Sequence, residues 1–396
     1  MELKRLFSAA VACLCAVSVF CACDDSSNSS ADKPVEQSKN YSDMTSSELV
    51  KDMTLGYNLG DTLDVCQADR DGDGQINEHV NDGEKVDETL WGNKKATKKL
   101  FETIKKDGFN AVRIPVTWRD HMGKAPDYKI DEDWMARVKE VVDYAYDLDM
   151  YVIINLHHDG GGDPEFGAWI RTEAMEDYDK FLERYSAVWN QIAETFKDYD
   201  ERLIFESMNE VGFDELGDSD GMILLNKINQ DFVDLIRKSG GKNETRHLLI
   251  AGYWTDIEKT CYGDFELPND PQNRCIVSIH YYTPWQFCTT NQQTEWGSKA
   301  DLREMDHKID LLKSTFTDKG IPVIIGEYGT GYGNEAKSKA FFSARLTYLC
   351  RQASIPCFLW DNGGELDRET YEFKTPGLKD ALQNAIENQQ EPTKAA

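Results

Sequence analysis

LIFESMNE, residues 203–210, is an apolar run of Leu203, Ile204 and Phe205 that turns polar and ends in Asn209 and Glu210. A run this short, bounded by acidic loop residues, reads as a buried strand whose polar end is the mouth of the structure it belongs to. IPVIIGEYG, residues 321–329, has the same shape, with Val323, Ile324 and Ile325 leading to Glu327. Two apolar strands that each deliver one carboxylate at the C-terminal end match what cleavage of a glycosidic bond needs. One carboxylic acid protonates the departing sugar oxygen, and the other carboxylate attacks the sugar or activates water.

Six further stretches share this form: TLGYNLG (54–60), NAVRIPV (110–116), YVIINLH (151–157), HLLIAGY (247–253), CIVSIHY (275–281) and PCFLWDN (356–362). With LIFESMN (203–209) and PVIIGEY (322–328) they make eight. Amphipathic stretches at helical spacing lie between them, near 95–106, 133–148, 177–196, 222–238, 302–316, 337–351 and 378–386. Leu100, Phe101 and Ile104 line one face of the first; Trp134, Val138, Val141, Val142 and Ala145 line one face of the second. Eight apolar strands, most followed by a helix, predict a single α/β domain, a (β/α)8 TIM barrel, over residues 41–388. In that fold the loops at the C-terminal ends of the strands build the active site. The polar residues there, Asn58, Arg113, His157, Asn209, Glu210, His280, Tyr282, Glu327 and Trp360, are therefore expected to converge.

The chain has 396 residues, 40% hydrophobic, and a formal charge of −27. That charge argues against a nucleic-acid partner, since polyphosphate binding needs clustered Lys and Arg, and it does not repel a neutral polysaccharide. Lys4 and Arg5 before the apolar stretch Leu6–Phe20 read as a signal peptide, too short for a membrane span. Phe20-Cys21-Ala22-Cys23 resembles a bacterial lipobox, which makes residues 1–23 a leader and Cys23 the lipidated residue. The expected location is the outer membrane or cell surface, held only by that lipid, with periplasmic or secreted protein as the alternative. Residues 24–40 read as a disordered tether and 389–396 as a disordered tail. Order is expected from Thr45, where Thr45-Ser46-Ser47-Glu48 has the form of a capping box. Six cysteines follow the leader, Cys66, Cys261, Cys275, Cys288, Cys350 and Cys357. In an exported protein they are either buried thiols or disulfides, and Cys261 with Cys275 is the most plausible pair because the intervening Pro, Asn and Asp residues look like a loop.

The segments GYNLGDTLD, ETLWGN, GFNAVRIPVTW, INLHHD, FESMNE, IHYYTPW, IGEYG and FLWDNG, spread in order from Gly56 to Gly363, resemble the cellulases of glycoside hydrolase family 5. The resemblance implies that Glu210 is the general acid/base and Glu327 the nucleophile of a retaining mechanism. Glu327 has to be ionised, for which Arg113 and the Tyr282 hydroxyl are the candidate partners. Glu210 has to start protonated, a state that burial and the charge of Glu327 favour. Asn209 is placed for the sugar 2-hydroxyl, and His157 and His280 look like neutral donors to substrate or to Glu210. Trp360 offers a flat face for a pyranose ring. His158 is either part of the site or its support, and Trp285 and Trp296 are either further sugar platforms or loop anchors. One departure is Asp61, where the family usually has Asn; it is expected to lie behind the site.

DRDGDGQINEHVNDGE, between Cys66 and Trp91, lies outside that pattern. Asp69, Asp71, Asp73, Gly74 and Ile76 match the start of an EF-hand-type calcium loop, with the Gln75 carbonyl as a further ligand. The twelfth position is Val80 instead of a bidentate Glu, so Asp82, Glu84 or a residue elsewhere has to close the site. A structural calcium ion is expected, against the alternative of a solvated acidic loop. The expectations together describe a monomeric retaining endo-β-1,4-glucanase acting on cellulose-type β-glucan, with no cofactor for catalysis. Xyloglucanase, lichenase or mannanase are alternatives on the same fold. A catalytically silent glycan-binding lipoprotein would lack one of the two carboxylates.

Overall fold

The strands form where alternate residues are sealed inside a closed sheet. In the computed structural model, which describes residues 39–68, 85–162, 167–387 and 390–394, eight strands pair in parallel. They are β1 (Gly56–Leu59), β2 (Ala111–Ile114), β3 (Tyr151–Ile154), β4 (Leu203–Glu206), β5 (Leu248–Ala251), β6 (Cys275–Tyr281), β7 (Val323–Tyr328) and β8 (Cys357–Asp361). They close in chain order, with β8 returning to β1 through Gly56–Phe358 and Asn58–Trp360. The crossover helices are α1 (Lys98–Lys106), α2 (Glu132–Tyr146), α3 (Tyr178–Thr195), α4 (Asp218–Lys238), α5 (Ile257–Tyr262), α6 (Lys299–Thr315) and α7 (Ala336–Gln352), and α8 (Leu378–Glu387) follows the last strand. This is the expected (β/α)8 barrel. The leader with Cys23 and the acidic loop with Asp69, Asp71, Asp73 and Gln75 lie outside the described residues.

Two cores result. One fills the space between sheet and helices, with residues such as Val112, Val152, Phe205 and Val277 facing Phe101, Val138, Trp189 and Phe232. The other fills the lower half of the barrel: Ala111, Ile153, Ile204, Leu249, Ile276, Ile324 and Phe358 point inward. Gly56 leaves the room that the Phe358 ring takes, since a Cβ there would stand 2.3 Å from it. The N-terminal helix Ser46–Asp52 closes this end, with Leu49, Val50 and Met53 in the same core. Its capping box forms as expected: Thr45 N donates to Glu48 Oε2 at 2.8 Å and Glu48 N to Thr45 Oγ1 at 3.2 Å.

Because side chains alternate along a strand, the residue two positions on from each inward apolar one also points inward, nearer the mouth. Those residues are polar: Asn58 after Gly56, Arg113 after Ala111, Asn155 after Ile153, Glu206 after Ile204 and Ser278 after Ile276. The floor of the site is thus a polar layer stacked on an apolar one. In the tail, Glu391 pairs with Arg345 and the Lys394 ammonium donates to the Trp296 carbonyl, so described residues there contact the barrel without regular secondary structure.

Candidate active site

Arg113, on β2, organises the polar layer. It is fully buried; Nε donates to Glu206 Oε2 (2.7 Å), Nη1 to Glu327 Oε1 (2.6 Å) and Asn58 Oδ1 (3.0 Å), and Nη2 to Asn209 Oδ1 (2.8 Å). Burial opposes its charge, but Glu206 and Glu327 outweigh that and hold the guanidinium protonated. Glu206 also accepts from Asn155 Nδ2 (3.0 Å) and Ser278 Oγ (2.7 Å), so one buried carboxylate has three donors.

Glu327 stands on β7 at an irregularity in the ladder. Ile279 pairs with Ile325, but His280 pairs with Glu327, so Gly326 is an extra residue. A bulge of this kind changes which face the next side chain takes, and it turns Glu327 into the barrel, three residues after the inward Ile324. Gly326 is also built in: its carbonyl accepts from Asn58 Nδ2 at 2.8 Å. The Glu327 carboxylate is buried between Arg113 and the Tyr282 hydroxyl, which donates to Oε2 at 2.9 Å. Burial, then the charges of Glu327 and Glu210, push the Tyr282 phenol far above its ordinary range, so it stays a donor.

Glu210 follows β4 on a backbone turned into the left-handed region, φ 44. His280 Nδ1 lies 2.7 Å from Glu210 Oε1 and 3.6 Å from Glu327 Oε2. One oxygen of each carboxylate and a ring nitrogen of His280 all lie within 4.8 Å of one another. The burial expected around Glu210 is not found, since its side chain keeps 40% exposure. It faces the open cleft, where a bound sugar would cover it.

The two histidines differ in state. Burial, then the charges of His158, Arg113 and His280, hold His157 well below its usual range, so it is the neutral group expected. The Asn155 amide is oriented by its carbonyl, which accepts from Val116 N at 3.1 Å, and its NH2 faces His157 Nδ1 at 3.2 Å. Nδ1 therefore accepts and the Nε2 proton is available for donation. His280 departs from the expectation of a neutral donor. Burial opposes its protonation, but the charge of Glu327 and the bond to Glu210 raise its pKa.

Trp360 stacks on His157 at 5.8 Å and 11°, and remains half-buried at the cleft wall. His158 donates its Nδ1 proton to the Gly161 carbonyl (2.5 Å) and meets His157 edge-on, a position of support behind His157. Asp61 N and Thr62 N donate to Asp64 at 3.0 and 2.7 Å, and burial, then the charge of Asp61, pushes Asp64 up to about 7. Asp61 thus acts on a second buried carboxyl, Asp64, which lies beside His157 and His158.

Two alternatives left open by the sequence are decided. Trp296 is no sugar platform: it is 2% exposed and packs against Phe341 and Phe342 as an anchor for its loop, whereas Trp285 is 57% exposed. Cys261 and Cys275 are not bonded, and all six cysteines among the described residues are free thiols. The Cys275 thiol turns to Asp270, 3.7 Å away, and that of Cys261 to Thr315. Glu206, Asn155 and Ser278 are parts of the site absent from the strand-end reading. Their signal is a polar residue at an inward position of an otherwise apolar strand.

Comparison with known proteins places this geometry. A family model for cellulase, glycosyl hydrolase family 5, matches residues 75–366. Endoglucanase B of Neocallimastix patriciarum is 37% identical over 89% of this chain and 74% of its own. Endoglucanase A of Ruminococcus albus is 36% identical over 87% of this chain and 93% of its own. Among solved structures, the tri-modular family 5 (subfamily 4) endo-β-1,4-glucanase of Bacillus licheniformis, complexed with cellotetraose, superposes with a TM-score of 0.75 at 34% identity. That match covers 88% of this chain and 61% of the Bacillus enzyme, so the chain spans less than two thirds of that relative. With the barrel, the paired carboxylates and relatives matched over most of its length, the chain belongs to the cellulase family, glycosyl hydrolase family 5.

Proposed function

We propose that the protein is an endo-acting β-1,4-glucanase that hydrolyses internal bonds of cellulose-type glucans with retention. The observation that carries this is the pair of carboxylates at the strand mouths, one oxygen of each within 4.8 Å of the other. Retaining enzymes keep the two groups about 5–5.5 Å apart, whereas inversion needs about 6.5–9.5 Å to admit a water. Glu327, fixed by Arg113 and Tyr282, attacks the anomeric carbon, and Glu210 protonates the departing oxygen. His280 bridges them and holds Glu210 over the bond to be cut. When the ester to Glu327 forms, its negative charge is gone, and Glu210 takes a proton from water in the second step. Asn209 meets the 2-hydroxyl, His157 donates to a neighbouring hydroxyl, and Trp360 carries the ring.

Product analysis on cellulose oligomers, carboxymethylcellulose, lichenan, xyloglucan and mannan tests the reading. Rapid loss of viscosity with few new reducing ends is expected on the unbranched β-1,4-glucans. A protein that cuts none of these polymers would overturn it, and faster cutting of xyloglucan, lichenan or mannan would move the substrate to that backbone. The same reading extends to the leader and the acidic loop on sequence grounds. The lipid belongs on Cys23, so a Cys23→Ser chain that still took up a labelled fatty acid would contradict it. Calcium belongs on Asp69, Asp71, Asp73 and the Gln75 carbonyl, so a melting temperature that chelator and excess calcium leave unchanged would contradict that.

A further inference from the structure

One oxygen of Asp64, in the loop after β1, and one ring nitrogen each of His157 and His158, after β3, all lie within 4.8 Å of one another. The backbone fixes this group. Asp64 Oδ2 accepts from Asp61 N at 3.0 Å and Oδ1 from Thr62 N at 2.7 Å. The Thr117 hydroxyl, beyond the end of β2, donates to the Asp64 carbonyl at 2.7 Å and accepts from His158 N at 3.2 Å, so it ties the two segments together. His158 gives its Nδ1 proton to the Gly161 carbonyl, which makes Nε2 its lone-pair nitrogen. A histidine that ligates a metal is usually oriented by such a bond from its other nitrogen. Asp64 is fully buried, and Asp61, 8% exposed, adds a second negative charge that reaches it. The guanidinium of Arg368, whose charge also reaches both, donates elsewhere, to the Gly60 and Asp361 carbonyls at 3.4 and 2.7 Å.

We propose that Asp64, His157 and His158 bind a divalent transition-metal ion, and that this ion and the glucan exclude each other. Two imidazoles and one carboxylate suit zinc, cobalt, nickel or copper, whereas calcium and magnesium take oxygen ligands. Asp64 and His158 offer their atoms as they stand. His157 joins at a cost, since a ring bound through Nε2 carries its proton on Nδ1, against the Asn155 amide that donates there. It then has no N–H for a sugar hydroxyl. Binding of the ion is independent of the roles given to Glu210 and Glu327; its effect on hydrolysis rests on the role given to His157. Glu210, His280 and Glu327 form another group of three ligand atoms, but with a single imidazole, and Arg113 holds Glu327 at 2.6 Å.

The test titrates zinc into the full chain by calorimetry, and cobalt(II) with its visible absorption as the readout, with calcium in excess so that the acidic loop is filled. One ion per chain is expected, bound about tenfold or more weakly in Asp64→Asn and in His158→Ala, and with unchanged affinity in Glu210→Gln. In the unsubstituted protein zinc is expected to protect His158 from diethyl pyrocarbonate, followed by peptide mass spectrometry, a readout that needs no variant to fold. Exclusion is measured in Glu327→Gln, where cellotetraose, once its own binding has been measured, is expected to weaken zinc binding in proportion to its occupancy. The proposal is overturned by the lack of a stoichiometric site, by His158 modified as fast with zinc as without, by affinity lost in Glu210→Gln but kept in His158→Ala, or by bound cellotetraose that leaves the zinc affinity unchanged. Cellotetraose that does not bind at all would count instead against the glucanase reading.

Discussion

Arg113 reaches Glu206, Glu327, Asn58 and Asn209 from one buried position, so four segments are fixed by a single cation. The buried charges are tolerable because each is paired and hydrogen-bonded. This separates two glutamates of the same chemistry. Glu327 is buried at 4% exposure against a cation and a phenol, which suits an ionised nucleophile; Glu210 stands in the open cleft on a histidine, which suits a group that gives up and regains a proton. Glu327→Gln is therefore expected to abolish hydrolysis, since it removes the carboxylate that Arg113 and Tyr282 fix at the strand mouth. Glu210→Gln is expected to lower it by about 10²- to 10⁴-fold on natural glucans. On an aryl glycoside with a good leaving group, which scarcely needs protonation, the formation of the glycosyl-enzyme is expected to suffer much less. Near-normal rates in both variants, followed by reducing-end release, would contradict the assignment.

At the scale of the element, the bulge in β7 decides where the nucleophile points. A Cβ on Gly326 would stand 3.3 Å from both His280 Nε2 and Ser278 Oγ, closer than ordinary contact. His280 holds Glu210, so the strain falls on both carboxylates. Gly326→Ala is expected to lower kcat by about tenfold to a hundredfold, the size of effect a small misplacement of reacting groups has, with the circular dichroism spectrum unchanged. Full activity would mean that the bulge does not set the geometry. The strands themselves were legible, because runs such as Tyr151–Ile154 and Leu248–Ala251 are buried on both faces and read as unbroken apolar stretches. The strand-end residues Asn58, Arg113, His157, Asn209, Glu210, His280, Tyr282, Glu327 and Trp360 do come together, as their placement at the ends of the eight stretches led one to expect. The bulge was not legible, since its extra residue is a glycine inside an apolar run. Nor was Glu206, whose partners come from three other strands and depend on the register of a closed sheet. Trp296 could be either a sugar platform or a loop anchor from the sequence, because a tryptophan in a long loop gives no sign of which way it faces; it is the anchor.

For the whole molecule, closing the barrel buries histidines without charge. Burial pushes His121 down to about 4 and His247 down to about 3, against an ordinary value of 6.5. The unfolded chain then binds protons that the fold does not. Their contribution is fully present above pH 6.5 and is lost as pH falls from there towards the folded values, at about 1.4 kcal/mol per unit for each. His280 and Asp64 work in the opposite direction, since their folded pKa values are raised. His247→Gln is expected to lose about 2 kcal/mol less than the unsubstituted protein between pH 7 and pH 5 in urea unfolding; an equal loss would mean that His247 titrates normally. The same closure joins two distant segments across one bond, and this is the claim on which the functional account depends. The most direct measurement is to treat the enzyme with a 2-deoxy-2-fluoro-cellobioside bearing a good leaving group and to sequence the labelled peptide by mass spectrometry. The account predicts one fluoroglycosyl group, carried on Glu327. A label on any other residue, or no label together with products first released in the α configuration, would contradict it.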